Sequence, residues 1–254
     1  MDASHCALVT LMSEHDNSSF AAAGAAFLHS CSSFTGPPGN ATMNAYRLYL
    51  SPGACSLAAH IALEETGAPF DVEIVQVRKQ ENLTDGYLAI NPKARVPVLA
   101  IPSESRVLTE TPAILTYLAR RHPDAQLLPL DDALREARCH EWLAWLVGWV
   151  HGVGYGALWR PGRFVGDPAL HGAISEHGRS VIDAANATIE AALADGRTWA
   201  EPGGHSIVDP FLLVLYRWGG AIGFDMARHR AWTAHAQREA ERPAARRALA
   251  REAA

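Results

Sequence analysis

Every strand-like stretch of this chain lies between residues 46 and 108, and beyond residue 129 only helical patterns remain. That division leaves few folds open. A sheet drawn from so short a stretch is small, and the rest of the chain has to bury its apolar faces as helices. Tyr46–Leu50 alternates and is rich in β-formers, and Ser51-Pro52-Gly53 breaks it. Leu57, Ile61, Ala62 and Glu65 then follow helical spacing, with Gly67 placed to end that helix. Alternation over Phe70–Val77 predicts a second strand, and a short helix or loop covers Leu83–Ile90. Val96–Ile101 reads as a third strand and Arg106–Leu108 as a fourth, joined through Ser103-Glu104-Ser105. Thr111 and Pro112 open a helix as N-cap and first helical residue, with Ile114, Leu115 and Leu118 on its inner face. The order β-α-β-α-β-β-α is that of a thioredoxin-like domain.

The second region follows a linker running from Pro123 to Pro129. Leu134–His151 reads as one long helix with Trp142, Trp145 and Trp149 on a shared face, which predicts core packing. Gly152–Phe164 reads as a loop, Pro168–Ala194 as a helix, and Ser206–Trp218 as a buried apolar helix. Phe224–Ala240 and Arg242–Glu252 read as outer helices. The expected fold class is therefore an α/β thioredoxin-like N-terminal domain with a mixed four-stranded sheet, plus an all-α C-terminal domain. The expected boundaries are an extension over residues 1–42, domains over 43–122 and 132–254, and a linker at 123–131.

The extension stands apart in composition. No Lys or Arg occurs before Arg47, and Gly36-Pro37-Pro38-Gly39-Asn40 closes the segment. It lacks the basic residues of a signal or transit peptide, and Met43 is an alternative start. Cytoplasmic location is the expectation. His5 with Cys6, and His29 with Cys31, match no zinc spacing. The four cysteines are scattered, which excludes a disulfide scaffold, and the net charge of −5 gives no general attraction to nucleic acid. No apolar run reaches the length of a membrane span. No metal, phosphate-loop, dinucleotide or hydrolase-elbow motif is present.

Four segments carry a resemblance. They are Ser51-Pro52-Gly53-Ala54-Cys55-Ser56-Leu57, Asn91–Leu99, Leu108–Leu115 and Ser206-Ile207-Val208-Asp209-Pro210. In this order the chain from about Tyr46 to Leu249 resembles bacterial glutathione transferases, most of all the beta class with its cysteine near the first helix. The resemblance implies a thioredoxin-like glutathione-binding domain, a homodimer in which each first domain packs on the partner's helical domain, and detoxifying conjugation of glutathione to small hydrophobic electrophiles. Thiol–disulfide exchange through Cys55 is a neighbouring activity. A specialised isomerase or dehalogenase and a non-catalytic binding module remain alternatives.

The residue roles follow the same resemblance. Cys55, whose thiol a helix start would acidify, faces the glutathione sulfur, with Ser56 and His151 beside it. His151 is expected to hold a thiolate or a proton near neutral pH. Val96, before a cis Pro97, meets the cysteinyl unit through its backbone. Glu110 receives the γ-glutamyl ammonium, Thr111 caps the helix that binds the γ-glutamyl carboxylate, and Lys79 meets the glycyl carboxylate. Tyr155, Trp159 and Phe164, with Arg160 and Arg163 among them, form the second-substrate surface, which suits an apolar electrophile with an anionic tail. Ser206 and Asp209 form a structural capping box. Ala144 and Gly152 depart from the family, which often has asparagine and lysine there, so the second-domain half of the glutathione site is thinned.

Overall fold

The computed structural model describes residues 45–253. The extension over residues 1–42, with Cys6 and Cys31, lies outside them, as does Met43. Strand β1 (Tyr46–Leu50) leads into helix α1 (Ser56–Thr66), and β2 (Phe70–Ile74) follows. Two 3₁₀ turns and α2 (Asp85–Ile90) then lead to β3 (Val98–Ala100), β4 (Leu108–Thr109) and α3 (Thr111–Arg121). The sheet order is β2-β1-β3-β4. β1 runs parallel to β2 with Leu48 opposite Val72, and antiparallel to β3 with Leu48 opposite Leu99. β3 and β4 are antiparallel. The thioredoxin-like arrangement and the mixed sheet match the sequence expectation.

The strands are shorter than their apolar runs. β2 ends at Ile74 because the chain turns away: Val75 donates to Leu50 O, and Val77 N donates to Ser51 Oγ. β3 starts at Val98, after the cis Val96–Pro97 bond, since proline cannot donate to a ladder. β4 is displaced from Arg106 to Leu108–Thr109, because the turn after Ile101 is longer than a tight hairpin. Helix α1 stops at Gly67, whose φ of 65° suits a residue without a side chain.

Helix α1 is buried continuously from Ser56 to Leu63. It is covered by α3 and by two helices of the C-terminal region, α7 (Val208–Ala221) and α9 (Pro243–Ala253). A helix covered all round needs no polar stripe, which explains why this run is apolar and small except for Ser56 and His60, each of which has a hydrogen-bond partner. The remaining C-terminal helices are α4 (Ala133–Trp145), the single turn α5 (Gly156–Trp159), α6 (His171–Leu193) and α8 (Arg230–Glu241).

The region after the linker departs most from expectation. The long helix expected over residues 134–151 is α4 only to Trp145. From Leu146 to Tyr155 the chain is π-helical, and it runs directly into α5, so the expected loop at 152–164 is mostly helical. Three glycines, Gly148, Gly152 and Gly154, lie in that π segment. The core face of α4 and the π segment is Cys139, Leu143, Leu146 and Val150. The tryptophan stripe lies off that face. Trp142 and Trp145 are half-buried against its edge, and Trp149 is 49% exposed. Shared spacing placed the tryptophans together, but the deeper row of aliphatic side chains took the core.

Gly178 in α6 lets the π segment come close. A Cβ there would lie 2.6 Å from Gly154 O and 2.7 Å from Leu158 N. Helix α7 begins at Val208 rather than Ser206, and the stretch before α8 splits off a 3₁₀ turn at Met226–Arg228. Ser206 N donates to Asp209 Oδ2 at 2.7 Å, as the capping box requires, whereas Ser206 Oγ accepts from Val208 N at 3.3 Å instead of from residue 209. Asp209 Oδ1 also accepts from Ala200 N and contacts His235 Nε2 at 2.7 Å, so this one buried carboxylate joins three segments.

Candidate active site

The loop between β1 and α1 sets the position of Cys55. Ala54 N donates to Ser51 O, and Ser56 Oγ donates to Ser51 O while accepting from Ser51 N, both at 3.2 Å. From outside, Glu252 of α9 accepts the Gly53 amide at 3.0 Å and meets His60 Nδ1 at 3.0 Å. Trp218 Nε1 donates to Gly53 O at 2.8 Å. The last helix and α7 therefore both hold the turn that presents the thiol.

Cys55 Sγ donates to Val96 O at 3.6 Å. Burial pushes this thiol up to about 11, which outweighs the lowering by the Thr111 hydroxyl and by the Arg160 and Arg95 guanidinium groups. The acidified thiol expected from the helix start is thus overturned: desolvation exceeds what the helix start, the Thr111 hydroxyl and two cations supply. Below that value Cys55 is a hydrogen-bond donor.

The opposite side of the thiol is fixed by the stretch before β3. Tyr87 OH and Asn91 Nδ2 both donate to Arg95 O, at 2.7 and 2.8 Å, and Asn91 Oδ1 accepts from Lys93 N. These bonds hold Arg95, Val96 and cis Pro97 beside the thiol. Glu110 is the N-cap of α3, with a φ of 71°, in the region that disfavours side chains, and its carboxylate pairs with Lys93. Such a conformation persists only where the surroundings enforce it. Thr111 is therefore the first helical residue rather than the expected cap, and its side chain is buried against Cys55.

The third wall comes from the π segment and the turn after it. Val147, His151, Gly152 and Gly156 face a cavity of about 250 Å³, together with Trp159, Arg160, Arg163 and Phe164. Cys55, Asn91, Arg95, Val96, Pro97, Thr109, Glu110 and Thr111 complete its lining. Burial, reinforced by the positive charges of Arg160, Arg95 and Arg163, lowers His151 to about 4. His151 is neutral at physiological pH, which corrects the expectation of a proton held near neutrality. Its ring packs edge-on against Trp218 with centroids 5.1 Å apart, and Trp218 also contacts Tyr155 and Trp159.

Comparison with known proteins decides the family. Residues 53–121 match the model of the glutathione S-transferase N-terminal domain. The chain is 34% identical over 208 residues to the glutathione S-transferase GstA of Escherichia coli O157:H7, which covers 81% of this chain and 98% of that one. This chain belongs to the glutathione S-transferase family. Solved relatives agree. A glutathione transferase homolog from Sulfitobacter, with bound glutathione, superimposes with a TM-score of 0.77 at 28% identity, covering 82% of this chain and 98% of that one. A beta-class glutathione S-transferase from Sphingomonas chungbukensis gives 0.71 at 33% identity, covering 81% and 98%.

In this glutathione S-transferase, one cavity collects Cys55, Val96, Pro97, Glu110, Thr111, His151, Trp159 and Phe164. It leaves out three residues expected there. Ser56 is fully buried behind the loop, bonded to Ser51. Tyr155 is 1% exposed, with its hydroxyl on Leu215 O, because the π segment turns it into the core. Lys79 ends an exposed 3₁₀ turn away from the lining. Ala144 is exposed and off the cavity, whereas Gly152 lines it. Sequence reasoning missed Arg95, Asn91, Trp218 and Glu252. Asn91 and Arg95 lie inside a segment already singled out; the other two sit on late helices with no local signal. Among the described residues no group of His, Cys, Asp and Glu side chains is placed to hold a metal ion, and no helix is long and apolar enough to cross a membrane.

Proposed function

We propose that the protein is a glutathione transferase that joins the glutathione thiolate to small hydrophobic electrophiles. The observation that carries this reading is the convergence of Cys55, the Val96 backbone, the start of α3, His151 of the π segment and the aromatic wall of Trp159 and Phe164 on one cavity. Glutathione lies along the sheet side. Its cysteinyl unit meets the Val96 backbone as an added strand would. Its γ-glutamyl carboxylate sits on the first amides of α3, where the helix dipole favours an anion. Glu110 takes the ammonium group, and Arg95, next to Val96, takes the glycyl carboxylate in place of Lys79. The family and the glutathione-bound Sulfitobacter relative support this placement.

The chemistry follows from the charges. Cys55, held as a thiol, donates its S–H to the glutathione sulfur, and the Thr111 hydroxyl backs it. The guanidinium groups around the cavity favour the thiolate, and the proton leaves to water because His151 is too weak a base to keep it. The thiolate attacks the electrophile's carbon, the sulfur–carbon bond forms, and the leaving group departs as an anion. The high Cys55 value also ranks the activities: direct thiol–disulfide exchange by Cys55 needs its thiolate, which is scarce at neutral pH, so conjugation is the main reaction.

The same reading places the chain in the beta class and makes it a cytoplasmic, detoxifying homodimer, with domain boundaries at 43–122 and 132–254 around the 123–131 linker. Calorimetric titration with glutathione, run beside Cys55→Ala, is the test. Micromolar to low millimolar binding with a changed heat in the variant, followed by conjugation of 1-chloro-2,4-dinitrobenzene, is the expected result. A folded protein that binds no glutathione would overturn it and favour the binding-module reading, for which the missing side chain at Gly152 is the structural argument.

A further inference from the structure

The helix-side wall of the cavity carries positive charge that glutathione does not account for. Arg160 ends α5, and Arg163 follows three residues later on the 3₁₀ turn Pro161–Arg163. The turn is closed by Arg163 N donating to Arg160 O at 3.0 Å and Phe164 N to Pro161 O at 2.9 Å. Both arginines line the cavity. Among the described residues neither meets a carboxylate, whereas seven other arginines of this chain are in ion pairs. The one acid on the lining, Glu110, pairs with Lys93 rather than with either arginine, and it is the group assigned above to the glutathione ammonium. Burial, and then the positive charges of Arg160 and Arg95, push the Arg163 guanidinium below its ordinary range. A chain with net charge −5 has gathered uncompensated cations at one place.

Two large aromatic side chains accompany them. Trp159 is 42% and Phe164 47% exposed, and both line the same wall. We infer that Arg160 and Arg163 are the anion-binding end of the second-substrate pocket, so that the electrophile taken here is an apolar or aromatic molecule carrying a carboxylate or sulfonate. The planar forks of two arginines suit such a group, and the aromatic pair suits the body attached to it. The inference deepens the glutathione transferase reading and rests on it for the word electrophile. The transferase reading assigns the two carboxylates of glutathione to the start of α3 and to Arg95, and leaves Arg160 and Arg163 without an anion.

The test compares two unreactive ligands, 3,5-dinitrobenzoate and 1,3-dinitrobenzene, by calorimetry with and without S-methylglutathione. The benzoate is expected to bind tighter by about tenfold, with an advantage that shrinks as salt is raised. The double variant Arg160→Gln, Arg163→Gln removes that preference, and Arg160→Lys, Arg163→Lys keeps part of it. Equal affinities in the unaltered protein would overturn the inference, and so would a preference that survives in the glutamine variant. Displacement of the benzoate by S-methylglutathione would also overturn it, because the anion site would then be glutathione's own. The two readings fail separately. A benzoate preference without glutathione binding sinks the transferase reading and leaves the anion site standing; glutathione binding without the preference does the reverse.

Discussion

Alkylation of Cys55 by iodoacetamide tests the central electrostatic argument. Only the thiolate reacts, so the rate at fixed pH reports the ionised fraction. With Cys55 raised to about 11, about 3 thiols in 10,000 are ionised at pH 7.5, against about one in ten for a free thiol near 8.5. Cys55 should therefore react about 300-fold more slowly than such a free thiol at that pH, before any steric slowing. Its rate should climb about tenfold per pH unit up to about pH 10. Peptide mapping by mass spectrometry separates Cys55 from the other cysteines, and Cys139, buried and also raised to about 11, is an internal control. The sign of the linkage is fixed. A thiol raised in the folded state contributes its stability below the ordinary value near 9 and loses it as pH rises through about 11, so alkaline pH should weaken the fold. A Cys55 half-point below pH 8 would refute the reasoning, since it would mean that the helix start and the arginines outweigh desolvation.

Four further outcomes follow from the same geometry. His151, lowered to about 4, should show an NMR titration midpoint far below 6.5; its contribution to stability is present above pH 6.5 and lost as pH falls through about 4, and a midpoint near 6.5 would contradict its burial among cations. Ser206→Ala should cost about 1 kcal/mol or more in urea unfolding, because it removes the acceptor for Val208 N and the donor to Asp209. Gly178→Ala should lose about 1–3 kcal/mol, since the added methyl meets the backbone of Gly154 and Leu158; an unchanged urea midpoint would show that α6 and the π segment can part freely. Glu252→Ala should cost about 2 kcal/mol by leaving buried His60 Nδ1 unpaired, and kcat/KM should fall with it as the Gly53 turn loosens; full activity would show that α9 does not position the thiol.

The local record was enough for the first half of the fold. Alternation at Tyr46–Leu50, the Ser51-Pro52-Gly53 break, Gly67 and Thr111-Pro112 each impose backbone geometry through their own side chains, and each lies within a residue or two of the element it starts or ends. The Ser206–Asp209 pairing belongs to the same class, because the partners are near in sequence, whereas the cis Val96–Pro97 bond was expected from the family resemblance alone. The second half was legible only as helices. Glycines and aromatics from Gly152 to Phe164 suggested a loop, yet packing against Gly178 of α6 keeps the backbone helical with a wider turn, and this rotates Tyr155 into the core. The tryptophan stripe misled for a related reason. Periodicity tells which residues share a face, and only the neighbours of that face decide whether it is covered.

What the sequence by itself determined is the order of elements, and its family resemblance named the groups that line the cavity with the thiol: Cys55, Val96-Pro97, Glu110-Thr111 and His151. Tertiary structure alone decided their chemical state. Cys55 is a thiol because desolvation outweighs the guanidinium groups near it, and His151 is neutral because desolvation and three guanidinium groups act together, over distances that no local pattern records. The support of the Gly53 turn by Trp218 and Glu252 is of the same kind, since those partners lie 165 and 199 residues away along the chain. A motif fixes its own backbone; the charge on its side chains is set by whatever the rest of the fold brings beside them.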